Sequence, residues 1–203
     1  MNKQRLEAFS DAVLAIIMTI MVLELRPPHE TELAALRPLL PVLFSYVLSF
    51  VFLGIYWNNH HHMLYCTHRV TGAILWANLH LLFWLSLVPF VTAFMGENPL
   101  ASVPAALYGV VLLMAGIAYL ILQRQILLTE GPQSVLAAAL RGDAKGKVAP
   151  LLCLLAIGAA FVHPGIAVVL YLLVALMWLI PDRRIERAVS RQRAGHGEGT
   201  PPV

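Results

Sequence analysis

The stretch Arg5–Leu25, RLEAFSDAVLAIIMTIMVLEL, decides how the rest of the chain is read. A membrane-spanning helix needs roughly 20 apolar residues, with about 17 as a lower limit, and this segment reaches that length. Its head nevertheless carries Arg5, Ser10 and Asp11. Farther along, Ile16, Ile20 and Leu23 follow i, i+4, i+7 spacing and fall within about 60° of one another on a helix. Ala12 and Thr19 flank that stripe, and Asp11 lies roughly on the opposite side. Lys3 and Arg5 ahead of an apolar run also suit a signal peptide. Asp11 interrupts the run, however, and Leu23-Glu24-Leu25-Arg26-Pro27 offers no small-residue cleavage site. The segment is therefore read as a permanent helix from about Phe9 to Leu25, stopped by Pro27-Pro28.

Composition sets the class. Of 203 residues, 59% are hydrophobic and 12% charged, with a mean hydropathy of +0.75. Charged residues make up about a quarter of an ordinary soluble domain, so the apolar excess here faces lipid. The expectation is an all-α, polytopic membrane protein. A net charge of +3 does not point to nucleic acid. Cys66 and Cys153 form no C-x-x-C spacing and no disulfide framework.

Six spans are expected. After the first, the second begins near Pro38, a residue suited to a first helical turn, and runs to about Trp57, with a possible extension through His60-His61-His62. The third covers about Val70 to Met95 and ends in the loop signal Gly96-Glu97-Asn98-Pro99. The fourth covers Val103 to Leu122, where Ala105 and Gly109 form a small-xxx-small pair that favours close helix packing. A polar segment, Gln123 to Lys147, follows, and Pro132 to Leu140 within it suits a short surface helix. The last block, Val148 to Ile180, is broken at His163-Pro164-Gly165. One helix of that length would measure about 50 Å against a hydrocarbon core of roughly 30 Å, so a hairpin of two short helices is preferred. Residues 1–182 form one six-helix domain. Residues 183–203 form a basic tail whose polar, Gly- and Pro-containing end suits disorder.

Charge bias fixes the expected topology. With six spans, Lys3, Arg5, Arg69, Arg124, Arg141, Lys145, Lys147 and the five arginines from Arg183 to Arg193 share one side. Only Arg26 and Arg37 remain for the other. The positive-inside rule then puts both termini in the cytoplasm.

Topology gathers residues distant in sequence. Arg5, Ser10 and Asp11, the run from Trp57 to His62, and Asn78 and His80 all lie toward the cytoplasmic end. An acid on a spanning helix costs about 2.5–3.5 kcal/mol at mid-bilayer and less near the interface, so Asp11 should face protein or water. A histidine or asparagine from the second and third spans would satisfy it. Two readings stand: a structural clamp on the first helix, or a titrating Asp11–histidine pair that biases gating. Eight histidines also raise a metal or haem enzyme, but consecutive helical residues diverge by about 100° and cannot converge on one ion. No H-x-x-H-H or H-E-x-x-H motif occurs. No metal, no cofactor and no soluble catalytic function are expected.

The pattern Arg5-x-x-x-Phe9-Ser10-Asp11 resembles the R-x-x-x-F-S-D signature of the endolysosomal potassium channel family and its bacterial relatives. Leu23-Glu24-Leu25, Trp57-x-x-His60-His61, Asn78 and Pro89-Phe90-x-Thr92 also look like that family. The resemblance covers roughly the first half of the chain; the second half agrees only in hydropathy. It implies a potassium-permeable cation channel without the T-V-G-Y-G filter loop, in which the first helix of each six-helix repeat lines the pore. One repeat per chain implies a homotetramer in the bacterial inner membrane, in contact with lipid and permeant cations. Ile16, Ile20 and Leu23 then match the hydrophobic constriction, and Thr19 matches a threonine layer tied to selectivity. Arg5, Phe9, Ser10, Asp11, Trp57, His60, His61 and Asn78 match the signature that anchors the first helix. By periodicity alone, ordinary packing or lipid contact is the better account of the aliphatic stripe, and only the resemblance points to a pore. A proton-conducting channel or proton-coupled transporter using Asp11 and His60–His62 is the competing reading.

Overall fold

The computed structural model describes residues 2–29, 31–134, 136–137 and 145–179. Helix α1 spans Lys3–Val22, its start fixed by Asn2, whose Oδ1 accepts the Gln4 amide at 3.1 Å. This cap draws the polar head into the helix, so α1 begins six residues before the expected Phe9. It also ends earlier, where Leu23 and Glu24 tighten into turns on the Ile20 and Met21 carbonyls.

A 3-10 turn, Leu33–Leu39, leads into α2, Leu40–Tyr65. Pro38 closes that turn, and Pro41 occupies the first turn of α2, where its missing N–H costs nothing. The helix carries straight through His60-His61-His62. Thr71 caps α3, Gly72–Ser86, and α4 follows as Val88–Glu97. The expected third span is thus two helices around Leu87. Pro89 lacks an N–H and its ring crowds the preceding turn, which explains the interruption.

Helix α5, Ser102–Glu130, extends eight residues past the expected Leu122. Its polar last turns stay helical until Gly131, which takes φ +88°, a conformation other residues avoid. Helices α6, Lys145–Ala160, and α7, Pro164–Leu179, form the hairpin expected around His163-Pro164. Residues 135 and 138–140 of the expected Pro132–Leu140 surface helix and all of 183–203 lie outside the described residues, as does the junction at residue 182.

Among the described residues, counting α3 and α4 as one path, the α-helices make six helical segments, and no strand occurs there. Leu33–Tyr65, Gly72–Glu97 and Ser102–Glu130 are long and apolar enough to cross a bilayer, while Val148–Ala160 and Pro164–Leu179 are shorter apolar helices. At 16 residues each, α6 and α7 measure about 24 Å, short of the roughly 30 Å core.

Helix α5 is the hub. It packs on α3, α4, α6 and α7, and Tyr108, Ala115, Ala118, Leu122 and Ile126 on it are fully enclosed. The small pair Ala105/Gly109 is where α7 comes closest: Tyr171 donates its hydroxyl to the Ala105 carbonyl at 2.9 Å. A Cβ on Gly109 would lie 2.1 Å from that hydroxyl and 2.8 Å from Ile157 of α6. Trp76, Phe83, Phe90 and Leu154 stand exposed on the outside of the bundle, a pattern suited to lipid contact.

Candidate functional site

Helix α1 packs against α2, α3 and α4 and divides into two faces. Leu6, Ser10, Leu14, Ile17 and Met21 are buried against the bundle. Their spacing of four, four, three and four residues traces one helical face. On the other side Ile16 is 56% exposed, Ile20 43% and Leu23 74%. Thr19 is exposed beside them, its hydroxyl donating back to the Ala15 and Ile16 carbonyls at 3.0 and 2.9 Å. Its oxygen lone pairs remain available as acceptors.

The buried face is pinned by a chain of side-chain hydrogen bonds. Ser10 donates to the Leu6 carbonyl at 2.8 Å and accepts from Asn78 Nδ2 of α3 at 3.0 Å. Asn78 Oδ1 lies 2.7 Å from His60 Nε2 of α2. A carbonyl oxygen can only accept, so that nitrogen carries the proton. All three side chains are buried. A polar group removed from water without a partner costs a few kcal/mol, and among the described residues no buried side-chain N or O lacks one. The cluster therefore specifies one docking of α1 on α2 and α3.

Of the three consecutive histidines only His60 joins this cluster. His61 is exposed and stacks on Trp57 with ring centroids 6.2 Å apart. Among the described residues Asp11 hydrogen-bonds neither histidine nor asparagine: the Trp57 indole N–H donates to its carboxylate at 3.0 Å. The expected His or Asn partner is thus replaced by tryptophan, because Asp11 sits one residue, or about 100°, around the helix from Ser10. The Arg5 side chain is exposed and has no hydrogen-bond or ion-pair partner among the described residues, and Phe9 is half exposed. His80 leaves the cluster too, accepting instead from Trp84 Nε1 at 3.0 Å within α3.

Two groups of polar contacts escaped sequence reading. Thr92 of α4 donates to Ser49 of α2 at 2.7 Å, and Ser49 lies 2.9 Å from the Tyr108 hydroxyl of α5. At the end of α5, Glu130 accepts from the backbone amides of His68 and Arg69 at 2.7 and 3.1 Å and meets His68 Nδ1 at 2.8 Å. Thr92 belonged to a quoted motif, but nothing local marks Ser49, Tyr108 or Glu130, whose partners lie far away in sequence. Among the described residues no group of three or more His, Cys, Asp or Glu is placed to hold a metal ion, and both cysteines are free and buried.

The family profile described as endosomal/lysosomal potassium channel TMEM175 matches residues 5–89, the segment that supplies most of α1, the Ser10–Asn78–His60 cluster and the start of α4. A potassium channel of Chryseobacterium sp. is 51% identical over 93% of this chain and 98% of its own. The chain belongs to the TMEM175 family. Among solved structures, a lysosomal potassium-selective channel TMEM175 homolog from Chamaesiphon minutus matches with a TM-score of 0.75 and 27% identity, covering 89% of this chain and 97% of that one. The human endosomal/lysosomal proton channel TMEM175 is 33% identical over half of this chain, but that match spans only 20% of the human protein. These TMEM175 relatives are channels rather than enzymes, and the family places this chain among membrane proteins.

Proposed function

We propose that this protein is a potassium channel of the TMEM175 family, a homotetramer in the bacterial inner membrane whose pore is lined by α1. The observation that carries the reading is the division of α1: one face is pinned through Ser10, while Ile16, Ile20 and Leu23 stand exposed on the other. A helix lining a central pore needs both faces, one to hold it and one to present. Four copies would close the aliphatic residues into a hydrophobic constriction that gates by dewetting and offers ions no polar ligands. Selectivity for potassium over sodium is accordingly modest, with a contribution from four Thr19 hydroxyls. Permeation of this kind requires no cofactor, and both termini lie in the cytoplasm by the charge bias of the loops. Single-channel recording in planar bilayers tests the constriction. Ile16→Asn, which lets water into the ring, and Leu23→Ala, which widens it, should each raise conductance; unchanged currents in both would sink the pore assignment.

A second reading is proton conduction. The human relative's description as a proton channel favours it, as does Asp11 beside Trp57 at the inner end of α1. Liposome flux under separate potassium, sodium and proton gradients decides between them. The potassium reading fails if only the proton gradient dissipates.

A further inference from the structure

Beyond the aliphatic stripe, α1 leads directly into charge. An open cleft of about 700 Å³ between α1 and α4 is lined by Ile16 and Ile20 and, at its outer end, by Glu24, Arg26 and Glu97. Glu24 follows Leu23 and lines the same cleft as Ile16 and Ile20, which places it beside the end of the stripe. Among the described residues none of these three side chains has a hydrogen-bond or ion-pair partner, although Arg26 shares the cleft with both acids. The same imbalance runs through the segments assigned to the outer side. These hold Glu24, Glu30, Glu32 and Glu97 against Arg26 and Arg37, while the inner side holds the other twelve basic residues.

We infer that Glu24 sets the cation concentration at the outer mouth of the pore, with Arg26 as its opposing control. The inference rests on the channel reading above. A hydrophobic constriction supplies no attraction of its own, so the rate at which potassium reaches it depends on the potential at its entrance. Charges of one sign around a mouth with low-dielectric walls raise the local counter-ion concentration and the rate of entry. Fourfold repetition would turn one carboxylate per chain into a ring. Such a field acts through solution and is screened: the Debye length is about 30 Å at 0.01 M salt and about 3 Å at 1 M.

The test is single-channel recording of the full-length protein in planar bilayers of neutral lipid, with potassium chloride near 0.01 M and near 1 M. At low salt Glu24→Gln should lower the potassium current entering from the outer side by roughly two-fold or more. Arg26→Gln should raise it and Glu24→Asp should preserve it. All four proteins should converge at high salt. Wild-type currents with an unaltered Glu24→Gln overturn the inference and leave the channel standing. A loss that persists at high salt also overturns it, because the residue would then act through pore shape. Absence of any wild-type current overturns both.

Discussion

The two faces of α1 are made of similar residues and have opposite fates. Leu14, Ile17 and Met21 are enclosed, whereas Ile16, Ile20 and Leu23 are exposed. Hydrophobicity cannot be what separates them, since in a bilayer a leucine facing lipid is as well solvated as one facing protein. What separates them is Ser10. Its hydroxyl must find Asn78, and Asn78 must find His60, so the helix has one rotational setting in which the polar chain closes. The aliphatic residues on the Ser10 side are then buried, and those on the other side are left to face outward.

That contrast is open to direct attack. The largest effect is expected from Leu14→Ala, which leaves a cavity between α1 and the bundle and should cost about 2–4 kcal/mol in unfolding of the purified protein in detergent. Asn78→Leu should come next. It strips Ser10 of a donor and leaves the buried His60 Nε2 unpaired, at a cost of about 1–2 kcal/mol. If it unfolded as easily as the wild type, the polar chain would not be what orients α1. The smallest effects belong to the periphery. Trp57→Phe removes only the exposed bond to Asp11 and should cost no more than about 0.6 kcal/mol. Thermal or denaturant unfolding of the three variants under one set of conditions ranks them.

A second pair of regions shows why legibility differed along the chain. The front half carries rare residues at fixed spacing, so Ser10, Asp11, Trp57, His60 and Asn78 could be singled out before any contact was known. The back half is held by Tyr171 over Ala105 and Gly109. There only the small-xxx-small spacing hinted at close approach, without naming the partner. The Ser49–Thr92–Tyr108 bonds were invisible for the same reason: hydroxyls on apolar helices carry no directional signature until the helices are packed.

By itself the sequence determined that the protein is a bundle of apolar helices with a biased charge distribution, because both follow from counting residues against the thickness and electrostatics of a bilayer. It also determined the hairpin at His163-Pro164, because one helix over Val148 to Ile180 would far exceed the bilayer core and Pro164 suits the first turn of a new helix. Only the tertiary structure decided that His60 and not His61 or His62 joins the buried cluster, and that Asp11 takes Trp57 and not a histidine. Only the packing, too, leaves the Arg5 side chain without a polar partner among the described residues. A helix offers each neighbour a single strip of surface. Which of several adjacent polar residues lies on that strip is fixed by the rotation and tilt at which helices pack, and no run of one-letter codes contains those angles.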